Sequence, residues 1–115
     1  MNLRVAKLAD FPSGWFIGNF VPTFSRQADF EICLKSFSAG DLEPEHFQEK
    51  VTEFSLVVFG NCRLGNVVLS AGEIVEVPAG ISLSFEALSD CTLLVVKTPS
   101  VPGDKILGKG KTSLG

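Results

Sequence analysis

Apolar and polar positions alternate along Phe30-Glu-Ile-Cys-Leu-Lys35, with Phe30, Ile32 and Leu34 on one parity and Glu31, Cys33 and Lys35 on the other. A period of two predicts a half-buried strand. Turn residues punctuate the chain at intervals of about eight to twelve residues, the spacing of an antiparallel sandwich or barrel. Between these turns lie Trp15–Phe20, Phe54–Phe59, Ile74–Val77, Ile81–Phe85 and Thr92–Lys97, all rich in β-branched or aromatic residues. Gly65-Asn66, between Cys62–Leu64 and Val67–Leu69, suits a primed hairpin turn. Ser38-Ala-Gly-Asp41 and Ser70-Ala-Gly-Glu73 repeat one turn signature, but their flanks differ and no internal repeat is present. Phe47, Val51, Phe54 and Val58 instead fall at helical spacing, so periodicity alone leaves helix and strand open over residues 44–53. Pro99 and Pro102 are expected to end regular structure.

A chain of 115 residues holds one hydrophobic core. Apolar residues make up 45% of it, which argues against disorder. Arg4 and Lys7 interrupt the N-terminus before any signal-peptide core could form, and no apolar run is long enough to cross a bilayer. These features predict a cytoplasmic protein with no membrane partner. Cys33, Cys62 and Cys91 are odd in number, widely spaced and set in or beside apolar runs, so they read as buried thiols of a reducing compartment. The net charge of −3 divides into an acidic body and a basic end: residues 1–96 carry −6 and residues 97–115 carry +3. An acidic body excludes nucleic acid as a partner, because phosphate neutralisation supplies most of that affinity. Gly108-Lys-Gly-Lys111-Thr112 imitates part of a phosphate loop, but its first glycine would have to stand at Lys105 and no helix can follow it.

Two spaced motifs change the picture. Gly40, His46, Gln48, Glu53 and Gly60 resemble the first cupin signature, G-x5-H-x-H-x4-E-x6-G, with Gln48 at the second histidine. Gly72, Pro78, Gly80, Leu83 and Ala87 resemble the second, G-x5-P-x-G-x2-H-x3-N, with Leu83 at the histidine and Ala87 at the asparagine. The resemblance covers residues 30–97 and implies an all-β double-stranded β-helix, or jelly-roll barrel. It also resolves the ambiguity at residues 44–53 in favour of strand, since an H-x-Q pair works as a unit only where side chains alternate. The domain is expected over residues 1–106, with 107–115 a flexible Gly/Lys-rich tail.

In cupins the matching positions bind a metal. Here only His46 and Glu53 keep a ligand type; the Gln48 amide is a poorer donor and Leu83 offers none. No tightly held metal is therefore expected, and a weakly bound divalent transition metal on His46, Gln48 and Glu53 is the alternative. His46 and Glu53 are also the candidate catalytic pair, able to exchange protons if they meet in a cleft. The expected ligand-binding set is His46, Gln48, Glu53, Ser55, Ile81, Leu83 and Phe85, a polar cluster against an apolar wall.

The leading expectation is a module binding a small, partly apolar ligand. An isomerase, epimerase or dioxygenase is the second reading, and a filled barrel with a structural role is the third. Trp15, Phe16, Phe20 and Phe24 lie outside both motifs and exceed what so small a barrel can bury, which predicts a homodimer.

Overall fold

Two antiparallel sheets face one another across the core, built almost entirely from strands whose side chains alternate between the interior and the surface. The computed structural model describes residues 2–110 and the backbone of residues 112–113. After two short 3-10 turns, Leu8–Asp10 and Pro12–Gly14, the strands run β1 Trp15–Ile17, β2 Glu31–Phe37, β3 Leu42–Gln48 and β4 Thr52–Phe59. They continue as β5 Asn61–Leu64, β6 Val67–Ser70, β7 Ile74–Val77, β8 Ile81–Ala87, β9 Cys91–Thr98, β10 Lys105–Leu107 and β11 Thr112–Ser113. One sheet has the order β1-β2-β9-β4-β7 and the other β10-β3-β8-β5-β6, with β11 pairing parallel to β8. This is the jelly-roll barrel expected from the motifs, and residues 44–53 are two strands and their turn rather than a helix.

Glycine sets the turns. Both Ser-Ala-Gly-acid segments close in the same way: the Asp41 and Glu73 amides donate to the carbonyls of Ser38 and Ser70, each at 3.0 Å. Each acid then reaches back, so that the Ser38 and Ser70 amides donate to Asp41 and Glu73 carboxylates at 2.8 Å. Gly40 and Gly72 sit at φ +91, the backbone such a turn requires at its third residue. Gly65 has φ +59 while Asn66 does not share a positive φ, which makes the β5–β6 hairpin the II′ variety of primed turn.

The core joins Cys33, Val57, Cys62, Leu69, Phe85, Ala87, Cys91, Leu93 and Val95. Phe37 of one sheet and Phe85 of the other meet with ring centroids 4.5 Å apart. The alternation in β2 identified the strand but not its inward face. Cys33, Lys35 and Phe37 turn inward, whereas Leu34 pairs with Leu94 on the outer face, beneath the N-terminal segment. The five-stranded sheet is accordingly apolar on both sides: Phe54, Val58 and Ile74 stay exposed on its outer face or edge. Of the four N-terminal aromatics, Trp15 faces the interior, while Phe16, Phe20 and Phe24 are half-buried in surface grooves.

Regular structure does not end at Pro102. Val101-Pro-Gly-Asp104 forms a further turn with Gly103 at φ +82, and β10 then pairs with β3. The prolines stop β9; they do not prevent a new strand once the chain has reversed. The expected boundary at residue 106 falls inside β10, and Lys111, Leu114 and Gly115 of the expected tail lie outside the described residues. Among the described residues no helix is long and apolar enough to cross a membrane.

Candidate functional site

The barrel is not filled. An interior cavity of about 140 Å³ is lined by all seven residues of the expected ligand-binding set: His46, Gln48, Glu53, Ser55, Ile81, Leu83 and Phe85. Its volume is close to the ~150 Å³ of an engineered apolar cavity that accepts benzene.

β3 supplies the polar side. Strand parity would put Glu43 and His46 on opposite faces, but the β3–β8 register slips between them. This bulge at Pro44-Glu45 turns Glu43, His46 and Gln48 all toward the cavity. Glu45 is released to the other face, where it accepts a hydrogen bond from the Ser82 hydroxyl at 3.0 Å. The His46 ring lies 3.0 Å from the Pro44 carbonyl through Nδ1. A carbonyl can only accept, so Nδ1 carries a proton in this contact and Nε2 is the ring nitrogen not engaged by Pro44.

Gln48 is only 4% exposed, and its amide has no hydrogen-bond partner among the described residues. It borders the cavity, which is where its two donors and one acceptor find room. Its backbone is fixed from two sides: the Gly80 amide donates to the Gln48 carbonyl at 2.7 Å, and β10 pairs Lys105 with Gln48. The β3–β4 turn that separates Gln48 from Glu53 is held by buried Asp104, whose carboxylate accepts from the Lys50 and Val51 amides at 2.8 and 3.2 Å. The segment that follows Pro102 thus positions the site.

β4 contributes Glu53 and Ser55 on one parity. The Ser55 hydroxyl donates to the Glu53 carboxylate at 3.2 Å. His46 and Glu53 both line the cavity, yet the structure pairs neither with the other: the imidazole bonds Pro44 and the carboxylate bonds Ser55. Ile81, Leu83 and Phe85 of β8 make the apolar wall, with Leu83 directly in register with His46.

Of the charged members of the lining, sequence reasoning found Glu53 but missed Lys35, Lys97, Lys105 and Glu43; it also missed Trp15. Lys35 and Lys97 were open to discovery, for each shares parity with inward residues, Cys33 and Phe37 in β2 and Leu93 and Val95 in β9. Glu43 needed knowledge of the bulge, and Lys105 of a strand beyond the prolines. Glu43 lies 3.6 Å from the Lys35 ammonium and 3.5 Å from that of Lys105. Burial pushes its carboxyl upward, but Lys105, Lys35 and His46 outweigh burial and hold it below the usual carboxylate value. The cysteines behave as expected of buried thiols. Burial raises Cys33 to about 12 and Cys62 to about 11, and Cys91 is raised as well, so none offers a thiolate at neutral pH.

No model of a known protein family matches the sequence. No curated protein matches it either. Solved structures do. A conserved protein with a double-stranded β-helix domain from Klebsiella pneumoniae aligns with a TM-score of 0.65 at 18% identity, over 72% of this chain and 73% of that one. A sugar phosphate isomerase from a cupin superfamily, from Silicibacter pomeroyi, aligns at 0.58 and 23% identity over 64% of this chain and 52% of its own. The Bacillus subtilis oxalate decarboxylase, which has Mn(II) centres, aligns at 0.62 and 15% identity over 70% of this chain but 24% of its own.

The fold is the cupin barrel. The decarboxylase has Mn(II) centres, and the donors present here do not match what such an ion needs. Among the described residues no group of three or more His, Cys, Asp or Glu side chains is arranged to hold an ion. Leu83 stands beside His46 where another imidazole would be needed, Gln48 brings no charge, and three lysine ammoniums share the lining.

Proposed function

We propose that this cupin barrel is a binding module that holds a small, partly apolar ligand around His46, Gln48 and Glu53 without a tightly bound metal. One observation carries the reading: a nearly buried Gln48 amide with no protein partner borders an interior cavity. The amide atoms are not sealed from solvent, so they are free to bond a ligand, and a hydrogen bond to a ligand there contributes about 0.5–1.5 kcal/mol and fixes its orientation. Leu83, Ile81 and Phe85 give the apolar part of that ligand its contact, and Ser55 and His46 add polar contacts. Native mass spectrometry of protein purified without a histidine tag, together with metal analysis, tests this. A bound organic molecule that is lost in Gln48→Leu supports the module. Stoichiometric transition metal that is lost in His46→Ala overturns it.

A second reading has its own observation. Nδ1 of His46 is committed to Pro44, so Nε2 is poised as a base toward whatever enters the cavity. An acid/base enzyme acting on a small carbonyl or hydroxyl compound fits that arrangement, and a cupin neighbour is a sugar phosphate isomerase. Solvent deuterium incorporation into a candidate sugar phosphate, absent in His46→Ala, would favour it.

The assembly we propose is a homodimer in the cytoplasm. Three free buried cysteines suit a reducing compartment. The apolar outer face of the five-stranded sheet, with Phe54, Val58 and Ile74 exposed, suits a second copy of the same chain. Light scattering that returns the 12.3 kDa monomer at micromolar concentration would reject the dimer.

A further inference from the structure

Two rows of side chains cross the outer face of the five-stranded sheet. In register, Leu34, Leu94, Leu56 and Ile74 make one row, and Ile32, Val96, Phe54 and Glu76 make the other. The two halves of this face differ. Over β2 and β9 the N-terminal segment shares with Leu34 and Leu94 the walls of an apolar groove of about 560 Å³. Arg4 stacks over the Phe24 ring at 4.5 Å, which holds the segment on that half. Over β4 and β7 the face stays open, with Phe54, Val58 and Ile74 exposed. The arm has apolar side chains to spare: Leu3 is 91% exposed and Val5 89%. Charge divides the same way. The arm brings Arg4 and Lys7, the open half brings Glu76 and, in the turn before it, Glu73, and none of the four forms an ion pair among the described residues.

We infer that the N-terminal arm of one copy covers the open half of this sheet in a second copy, with Leu3 and Val5 on Phe54, Val58 and Ile74 and with Arg4 and Lys7 beside Glu73 and Glu76. The inference rests on the homodimer proposed above and names the surfaces that make it. A two-fold axis parallel to the strands lays the β2–β9 half of one sheet over the β4–β7 half of the other. The half with an arm then meets the half without one, and every arm contact is made twice. An axis running across the strands would instead set arm on arm and Glu76 near its own copy, like charge against like. Apolar side chains withdrawn from water supply the affinity, and the opposite charges beside them decide which halves meet.

Sedimentation velocity over a range of concentrations measures the dimer dissociation constant, with circular dichroism showing that each variant is folded. All the substituted side chains are exposed, so the fold should survive. Leu3→Asp with Val5→Asp should weaken the dimer at least ~100-fold, and Ile74→Asp on the other side of the contact at least ~10-fold. Val68→Asp, on the edge strand β6 of the opposite sheet, should leave it unchanged. Glu76→Arg should weaken it about 3–10-fold, and adding Arg4→Glu and Lys7→Glu should restore it. A dimer that survives Leu3→Asp with Val5→Asp, or survives Ile74→Asp, overturns the arm inference and leaves the homodimer standing on another surface; so does one that Val68→Asp dissolves. Charge reversal on both sides that restores nothing overturns the pairing of arm with sheet. Wild-type protein that stays monomeric at roughly 100 µM defeats the homodimer and the arm contact together.

Discussion

β3 and β8 are neighbours in one sheet and line the same cavity, yet they present opposite chemistry. β3 turns Glu43, His46 and Gln48 inward; β8 turns Ile81, Leu83 and Phe85 inward, with Glu43 paired to Phe85 and His46 to Leu83. β8 is regular through Ile81–Ala87, so one parity faces the core throughout and can be apolar throughout. β3 is bulged, and the bulge collects polar residues of mixed parity on one face, as bulges beside binding sites do. The lesson is a division of labour: the regular strand holds the fold together, and the irregular strand beside it carries the chemistry.

Substitutions across the pair test that division. Phe85→Ala should destabilise the protein by ~3–5 kcal/mol, because Phe85 is 4% exposed and packs on Phe37, while His46→Ala should cost under ~1 kcal/mol. Denaturant unfolding of the two variants measures the contrast, and equal losses would erase it.

The thiols that pack the cavity side of the core make stability fall in alkali. Cys33 and Cys62 are raised from 9.0 to about 12 and about 11 by burial in the folded state. Above pH 9 the unfolded chain gives up these protons while the folded chain keeps them, so stability declines as pH rises from 9 towards 12. Cys33→Ala should flatten that decline in urea titrations at successive pH values.

Leu83→His exchanges the chemistry of one strand for that of the other. It sets a second imidazole next to His46, and should raise affinity for Zn²⁺ or Ni²⁺ by at least ~10-fold at a stability cost of ~1–3 kcal/mol. Titration calorimetry with each metal would show it; no gain would mean that the inward face of β3 does not hold His46 where the register puts it.

The smallest effect belongs to the outer face of β8. Arg63 and Glu86 form an ion pair at 2.6 Å with both side chains well exposed, and Arg63→Ala should cost no more than ~1 kcal/mol by chemical denaturation.

The strands and turns were legible because each is a local matter. Alternation names a strand, and a Ser-Ala-Gly-acid segment names a turn whose acid side chain closes it, as both copies do. Ile81, Leu83 and Phe85 could be read as an apolar wall because β8 has no irregularity to upset its parity. The remainder of the site depended on events that parity does not record. The slip in β3 places Glu43 beside His46, and the chain reversal at Pro102-Gly103 returns Lys105 to the edge of β3. His46 and Glu53 were read as a pair from a motif, but nearer groups, Pro44 and Ser55, take up their hydrogen bonds.

Asp104 gives the molecule a built-in reporter. Among the described residues its carboxylate accepts from the amides of Lys50 and Val51, at the turn joining the strands that carry Gln48 and Glu53. Their exchange with deuterated solvent therefore clocks how often the C-terminal segment lifts from that turn. A ligand that needs Gln48 in place should slow this clock, and an engineered chain ending before residue 104 should let it run freely although both sequence motifs are intact.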